Sequence, residues 1–146
     1  MSHRRVNILL VEDNHQDVEL ILRALQKQNL GGKVKVARDG AEALAILFPP
    51  GQNGTDLRES LKVIFLDLKL PKVSGLEVLR AIKTDVRTQA IPVVVLTSSP
   101  QETDIDECYH LGANSYIVKP LELDDFTQAI AQLGSYWVLL NQTIPQ

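Results

Sequence analysis

The feature that most constrains the fold is an alternation between short apolar runs and longer amphipathic segments. The runs, rich in Leu and β-branched residues, lie at 6–11, 33–37, 63–66, 92–96 and 115–118. In the first segment between them, Val18, Ile21 and Leu25 fall on one helical stripe. Strands that alternate with helices form parallel βαβ units. The sequence therefore predicts an α/β fold with a five-stranded parallel sheet and helices on both faces.

Two stretches depart from this alternation. Residues 49–56 are rich in Pro, Gly and Asn, which predicts a loop between the second helix and the third strand. They begin an insertion at 49–62 whose role the sequence leaves open. Residues 135–146 include an apolar run around Trp137, and we interpret them as an extension of the last helix beyond a domain at 4–134. This extension either covers its own core or exposes an apolar face that marks an interface.

Composition narrows the class of protein. The 146 residues are 45% hydrophobic, which is ample for one globular core, and the net charge of −3 argues against nucleic-acid binding. No apolar run approaches the ~20 residues of a membrane span, and no signal peptide is recognisable. With Cys108 as the only cysteine, a disulfide within the chain is impossible. We expect a cytoplasmic protein without membrane or nucleic-acid partners.

Polar residues follow four of the predicted strands. They are Glu12 and Asp13 after the first, Asp67 after the third, Thr97 after the fourth and Lys119 after the fifth. Because the carboxyl ends of parallel strands meet at one edge, we expect these side chains to converge. Clustered carboxylates are costly without a cation, and Mg²⁺ prefers such oxygen ligands. A carboxylate at such a site can attack a phosphoryl group, whose oxygens an ammonium and a hydroxyl would bind.

Four segments carry a family resemblance. They are Leu-Leu-Val-Glu-Asp-Asn at 9–14, Phe-Leu-Asp-Leu-Lys-Leu-Pro at 65–71, Val-Val-Leu-Thr-Ser-Ser at 94–99 and Tyr-Ile-Val-Lys-Pro at 116–120. In this order, each at a strand end, they resemble the receiver domains of response regulators. The resemblance implies a doubly wound, CheY-like sheet with strand order 2-1-3-4-5. It also implies a phosphoprotein that serves a histidine kinase and signals by protein–protein contact.

The resemblance implies a role for each acidic residue. Asp67 matches the phosphoacceptor. Asp13, Asp67 and the backbone carbonyl of Lys69 match the protein ligands of Mg²⁺, while Glu12 matches the acidic residue that acts through a water molecule. No organic cofactor is implied. The chain is expected to catalyse only its own phosphorylation and dephosphorylation, so we do not class it as an enzyme.

The resemblance also implies a switch. Thr97 matches the hydroxyl that moves toward the phosphoryl group, and Tyr116 matches the aromatic residue that turns inward with it. Lys119 matches the phosphate-binding lysine, and the bond between Lys119 and Pro120 is expected to be cis.

A closer likeness points to the small response regulators of cyanobacterial and bacterial phytochromes. It rests on the Asn-Gly-containing insertion, on Asp-Val-Glu-Leu at 17–20 and on the Trp-containing tail. It implies a light-regulated kinase, an unknown downstream protein and a homodimer. The dimer would use the tail and the face formed by the fourth predicted helix, fifth strand and fifth predicted helix. The alternative is a receiver that serves a non-light histidine kinase or a phosphorelay.

Two other classes of protein share part of this pattern. Phosphohydrolases of the haloacid-dehalogenase type also use a strand-end Asp and Mg²⁺, but they place a second Asp two residues later, where this chain has Lys69. A flavodoxin-like flavin carrier needs a hydroxyl-rich phosphate loop after the first strand, where Glu12 and Asp13 would repel a phosphate. Both alternatives fit the residues less well than a receiver.

Overall fold

The computed structural model describes residues 5–51, 55–120 and 122–143. Its centre is a parallel sheet of five strands in the order β2-β1-β3-β4-β5, which confirms the predicted fold class. The strands are β1 (Ile8–Val11), β2 (Val34–Ala37), β3 (Val63–Leu66), β4 (Val93–Thr97) and β5 (Ser115–Val118). Each begins and ends within two residues of its predicted position.

Six α-helices lie between and after the strands in the described part of the chain. They are α1 (His15–Lys27), α2 (Gly40–Leu47), α3 (Thr55–Ser60), α4 (Gly75–Thr84), α5 (Glu102–His110) and α6 (Leu123–Gly134). Asn14, Asp39 and Ser74 cap the starts of α1, α2 and α4, since each side-chain oxygen accepts a backbone N–H three residues on. None of the helices in these ranges is both long and apolar enough to cross a bilayer.

The insertion contains the helix that the sequence analysis missed. Residues 49–56 were predicted as a loop, but α3 already begins at Thr55. The helix has six residues and no apolar stripe, so helical periodicity could not reveal it. Arg58 Nη1 donates to the Leu47 carbonyl at 2.6 Å, and Ser60 Oγ donates to the Val6 carbonyl at 2.7 Å. These bonds tie the insertion to the end of α2 and to the chain just before β1.

Two apolar layers enclose the sheet, and all four residues of β1 and of β3 are buried. Because side chains alternate along a strand, Leu9 and Ile64 pack on the side of α2 and α4. Ile8 and Phe65 pack on the opposite side with residues of α1 and α6. This double coverage is typical of parallel sheets and explains the continuous apolar runs in the sequence. It also leaves the strand ends as the place where polar groups gather.

The tail continues from α6 without a break. Ser135–Leu140 forms a π-helical segment, and Asn141 N donates to the Tyr136 carbonyl at 2.7 Å. Val138 is buried in the α1–α6 layer and Trp137 packs against it, whereas Leu139 and Leu140 are 61% and 68% exposed. One side of the segment therefore covers the core, and the other side exposes apolar side chains to solvent.

Candidate functional site

Three carboxylates meet where β1 and β3 end. Val11 and Leu66, the last residues of these strands, are paired in the sheet, so the residues that follow them lie side by side. One oxygen from each of Glu12, Asp13 and Asp67 lies within 4.8 Å of the others. Glu12 and Asp67 are buried and Asp13 is exposed. We call these three residues the acidic trio.

Lys119 reaches the acidic trio from the edge of the sheet. It follows β5, and its backbone N–H donates to the Thr97 carbonyl at 2.7 Å. Its Nζ donates to Glu12 Oε1 at 2.6 Å and to Asp67 Oδ2 at 3.1 Å, and the side chain is only 11% exposed. Charge-assisted hydrogen bonds of this kind are stronger than neutral ones. The ammonium therefore bridges two members of the acidic trio, Glu12 and the predicted phosphoacceptor Asp67.

Asp17 completes the set of carboxylates around the ammonium, and the sequence analysis gave it no role there. Lys119 Nζ donates to Asp17 Oδ2 at 2.8 Å. Asp17 lies in the first turn of α1, and because Asn14 caps this helix, the Asp17 carboxylate is not needed as a cap. In the sequence, the only indication of this contact was that Asp17 lies about one helical turn after Glu12 and Asp13.

Burial and charge shift two pKa values at this site. Burial raises the pKa of Glu12 to about 7; the hydrogen bond from Lys119 opposes the rise, and the negative charge of Asp67 adds to it. Burial alone would lower the pKa of Lys119, but its hydrogen bonds with Asp17 and Glu12, together with the Asp67 charge, raise it above the ordinary value. The ammonium therefore stays protonated, yet three carboxylates contact this single positive charge, and Asp13 lies within 4.8 Å of two of them. A divalent cation would relieve the remaining repulsion.

Lys69 stands two residues beyond Asp67. Its side chain is exposed, and its backbone N–H donates to Asp67 Oδ1 at 3.3 Å. This bond folds the loop after β3 around the Asp67 carboxylate. The role predicted for the Lys69 carbonyl as a metal ligand stays a prediction.

The hydroxyl of Thr97 is buried at the end of β4. Its Oγ1 has no hydrogen-bond partner among the described residues. An unpaired buried hydroxyl costs about 1–3 kcal/mol. The switch role predicted for Thr97, in which this hydroxyl binds a phosphoryl oxygen, stays a prediction.

Tyr116 and the loop after β4 are joined by hydrogen bonds. The Tyr116 hydroxyl donates to the Ser99 carbonyl at 2.8 Å, and Ser99 Oγ donates to Asp104 Oδ2 at 2.5 Å. Tyr116 is half-buried and also contacts the core on the α2–α4 side. The sequence analysis named Tyr116 but did not foresee Asp104, since a bond between a loop serine and a helix carboxylate depends on the tertiary position of α5.

One expectation for this region is wrong. The Lys119–Pro120 bond was predicted to be cis, but no peptide bond in the described ranges is cis. Trans is the more stable isomer of an X–Pro bond by about 0.5–1 kcal/mol. With the trans bond the Lys119 ammonium already reaches three carboxylates, so the cis isomer is not needed to direct it toward the site.

Known proteins are similar to this chain in sequence and in fold. Residues 8–131 match the family described as the response regulator receiver domain. The chain is 40% identical over 136 residues to the probable methanogenesis regulatory protein FilR2 of Methanothrix harundinacea, a match that covers 93% of this chain and 86% of that protein. It is 38% identical over 138 residues to the response regulator Rcp1 of Synechocystis, covering 94% and 92%.

Two solved structures are similar over nearly their whole length. The phosphorylated cyanobacterial phytochrome response regulator RcpA has a TM-score of 0.87 at 38% identity, and the match covers 97% of this chain and 99% of that one. The Mn²⁺-bound form of Rcp1 has a TM-score of 0.84 at 34% identity, covering 96% and 99%.

Proposed function

Since the chain belongs to the response regulator receiver domain family, we propose that it accepts a phosphoryl group from a histidine kinase onto Asp67. One observation carries the proposal: the Asp67 carboxylate lies within 4.8 Å of those of Glu12 and Asp13 and 3.1 Å from the Lys119 ammonium. This geometry supports Asp67 as the nucleophile, the acidic trio as a cation site and Lys119 as the phosphate-binding charge.

The acidic trio fits a Mg²⁺ ion. Asp13 and Asp67 would be direct ligands with the Lys69 carbonyl, and Glu12 would act through a water molecule. Hard cations take oxygen ligands of this kind, and three close carboxylates offset the positive charge. When bound, Mg²⁺ neutralises the charge that develops on the phosphoryl oxygens.

Three side chains of this protein have separate roles in phosphoryl transfer. An Asp67 carboxylate oxygen forms the new P–O bond as the P–N bond to the kinase histidine breaks. The Lys119 ammonium binds one phosphoryl oxygen, and the unpaired Thr97 hydroxyl binds another. Movement of Thr97 would change the packing around Tyr116 and the loop held by Ser99. The output is therefore an altered surface at α5 and β5, which a downstream protein recognises.

The donor that we infer is a light-regulated kinase of the phytochrome class. The support is the similarity to RcpA, a cyanobacterial phytochrome response regulator, over 97% of this chain. The comparable identity with FilR2, described as a methanogenesis regulator, favours a second candidate, a receiver for a non-light kinase. Both candidates use the same chemistry at Asp67.

Phosphotransfer profiling tests the function and separates the two donors. Purified phytochrome-type and other histidine kinases, each labelled with ³²P, are mixed briefly with the chain in Mg²⁺ or in EDTA. We expect rapid transfer from a phytochrome-type kinase in Mg²⁺ and little transfer in EDTA, with an acyl phosphate that hydroxylamine removes. If only a histidine kinase of another class transferred the label, the inferred light-regulated donor would be wrong. No transfer from any kinase or from acetyl phosphate would contradict the proposed function.

We also infer a homodimer through the α5–β5–α6 face and the tail. Large apolar side chains are exposed along it, on α5, β5, α6 and the π-helical segment. They are Tyr109, Val118, Leu123, Tyr136, Leu139 and Leu140. Exposed large apolar side chains of this kind favour an interface, and β5 is an edge strand of the sheet.

The dimer is tested by light scattering. The expected result is a dimer at micromolar concentration for the unmodified chain and a monomer for Leu140→Asp, since a buried carboxylate would oppose association. Val86→Asp is the matched control, because Val86 is 82% exposed but lies in the α4–β4 loop. A monomer for the unmodified chain, with and without phosphorylation, contradicts the dimer.

A further inference from the structure

We propose that Asp17 is a positioning residue for Lys119: it keeps the ammonium paired when Glu12 and Asp67 turn toward a divalent cation. The inference deepens the proposed function and rests on it. Asp17 belongs neither to the acidic trio nor to the predicted site residues. Its role would be to hold Lys119 beside the cation and the phosphoacceptor.

The first argument is the geometry of the three bonds. Lys119 Nζ lies 2.6 Å from Glu12, 2.8 Å from Asp17 and 3.1 Å from Asp67. Glu12 and Asp67 also belong to the acidic trio, whereas Asp17 approaches from α1. Among the described residues, Asp17 is therefore the one carboxylate partner of the Lys119 ammonium outside the trio.

The second argument is the cost of an unpaired charge. The Lys119 side chain is 11% exposed, so water cannot replace a lost carboxylate partner fully. A cation bound by the trio would draw on the carboxylates of Glu12 and Asp67 and would repel the ammonium. A carboxylate that stays with Lys119 reduces both costs, and Asp17 is placed to do so.

The third argument is that Asp17 is both anchored and provided with space. Its backbone N–H donates to Asn14 Oδ1 at 2.9 Å, and its neighbour Val18 is buried. A cavity of about 280 Å³ on the α1–α6 side is lined by Asp17 and Lys119 together with Ser98 and Phe126. The ammonium thus has room to shift away from the trio toward Asp17 without repacking the core.

The test measures Mg²⁺ binding to the full, unphosphorylated chain by calorimetry. We expect Asp17→Asn to weaken binding about fivefold, within the range of coupling between contacting charged residues. Glu19→Gln removes the same charge from α1 without contacting Lys119 and should bind like the unmodified chain. Asp17→Glu, which restores the carboxylate, should recover much of the affinity.

The second arm distinguishes positioning from a general effect of charge. In a Lys119→Met background the Asp17→Asn change should have no further effect on Mg²⁺ affinity, because the group that it positions is gone. An equal loss in both backgrounds would overturn the inference and leave only long-range attraction. Thermal unfolding of each variant verifies the fold.

A third variant separates this inference from the proposed metal site. Asp13→Asn should lose most Mg²⁺ binding whatever Asp17 does. If Asp13→Asn loses binding while Asp17→Asn binds normally, the metal site stands and the role of Asp17 is refuted. If Asp13→Asn binds Mg²⁺ like the unmodified chain, the proposed metal site itself is wrong.

Discussion

Replacing Asp67 with Asn is expected to abolish phosphoryl labelling by acetyl phosphate and by a histidine kinase, with the fold left intact. The amide has nearly the shape of the carboxylate but is not a nucleophile toward phosphorus. The amide carries no charge, so it does not repel the carboxylate of the buried Glu12. The substitution should therefore not lower the free energy of unfolding by charge repulsion. The measurement is incorporation of ³²P, with circular dichroism and thermal unfolding to verify the fold.

Asp106→Asn is the matched control for this experiment. Asp106 is an exposed carboxylate on α5 with no contact to the acidic trio, so its variant should be labelled like the unmodified chain. Undiminished labelling of Asp67→Asn would show that another residue is the phosphoacceptor. Glu12 and Asp13 would then be the first residues to test.

Replacing Lys119 with Met is expected to lower the free energy of unfolding in EDTA and to make stability depend strongly on Mg²⁺. Removing one partner of a buried ion pair typically costs about 3–5 kcal/mol, because the other charge is left uncompensated. Here Glu12 and Asp67 would be left beside each other, while the more exposed Asp17 would retain water. Mg²⁺ would supply the missing positive charge. Its stabilising effect should therefore be larger for the variant than for the unmodified chain.

The pKa of Glu12 determines how the free energy of unfolding lost in Lys119→Met depends on pH. Because burial raises it to about 7 from 4.5, the folded chain takes up a proton on Glu12 more readily than the unfolded chain does. The Glu12 contribution to stability therefore falls as pH rises through that window. The loss in Lys119→Met should accordingly be smaller at pH 5 than at pH 8.

Urea unfolding with and without Mg²⁺ measures these effects. Lys27→Met is the control, since Lys27 is exposed in the last turn of α1 and should cost little. An unchanged midpoint for Lys119→Met in EDTA would show that the ammonium does not stabilise the carboxylates.

The strands were predictable because their physical signal is local. β1 and β3 are buried on both faces, so each appears in the sequence as an uninterrupted apolar run. The order of the strands was not contained in those runs and came from the family resemblance. The helix α3 was missed because six residues without an apolar stripe resemble a loop.

The candidate site was predictable only where the sheet fixes position. Glu12, Asp13 and Asp67 follow two paired strands, so topology alone brings them together. Asp17 reaches Lys119 from a helix, and Asp104 reaches Ser99 from another. Such contacts depend on how each helix is oriented against the sheet, which residue spacing does not determine. The prediction of a cis Lys119–Pro120 bond came from the family resemblance, and it is wrong for this structure.

The reach of Lys119 connects two distant parts of the molecule. Its backbone belongs to the margin of the sheet, directly after β5, while its charged end lies among carboxylates that follow the central strands. A protein that bound along that margin and shifted the Lys119 backbone would alter how firmly the charged end is held. By thermodynamic reciprocity, neutralising those carboxylates would alter the affinity of that protein. Surface association and site chemistry would then be coupled through one side chain.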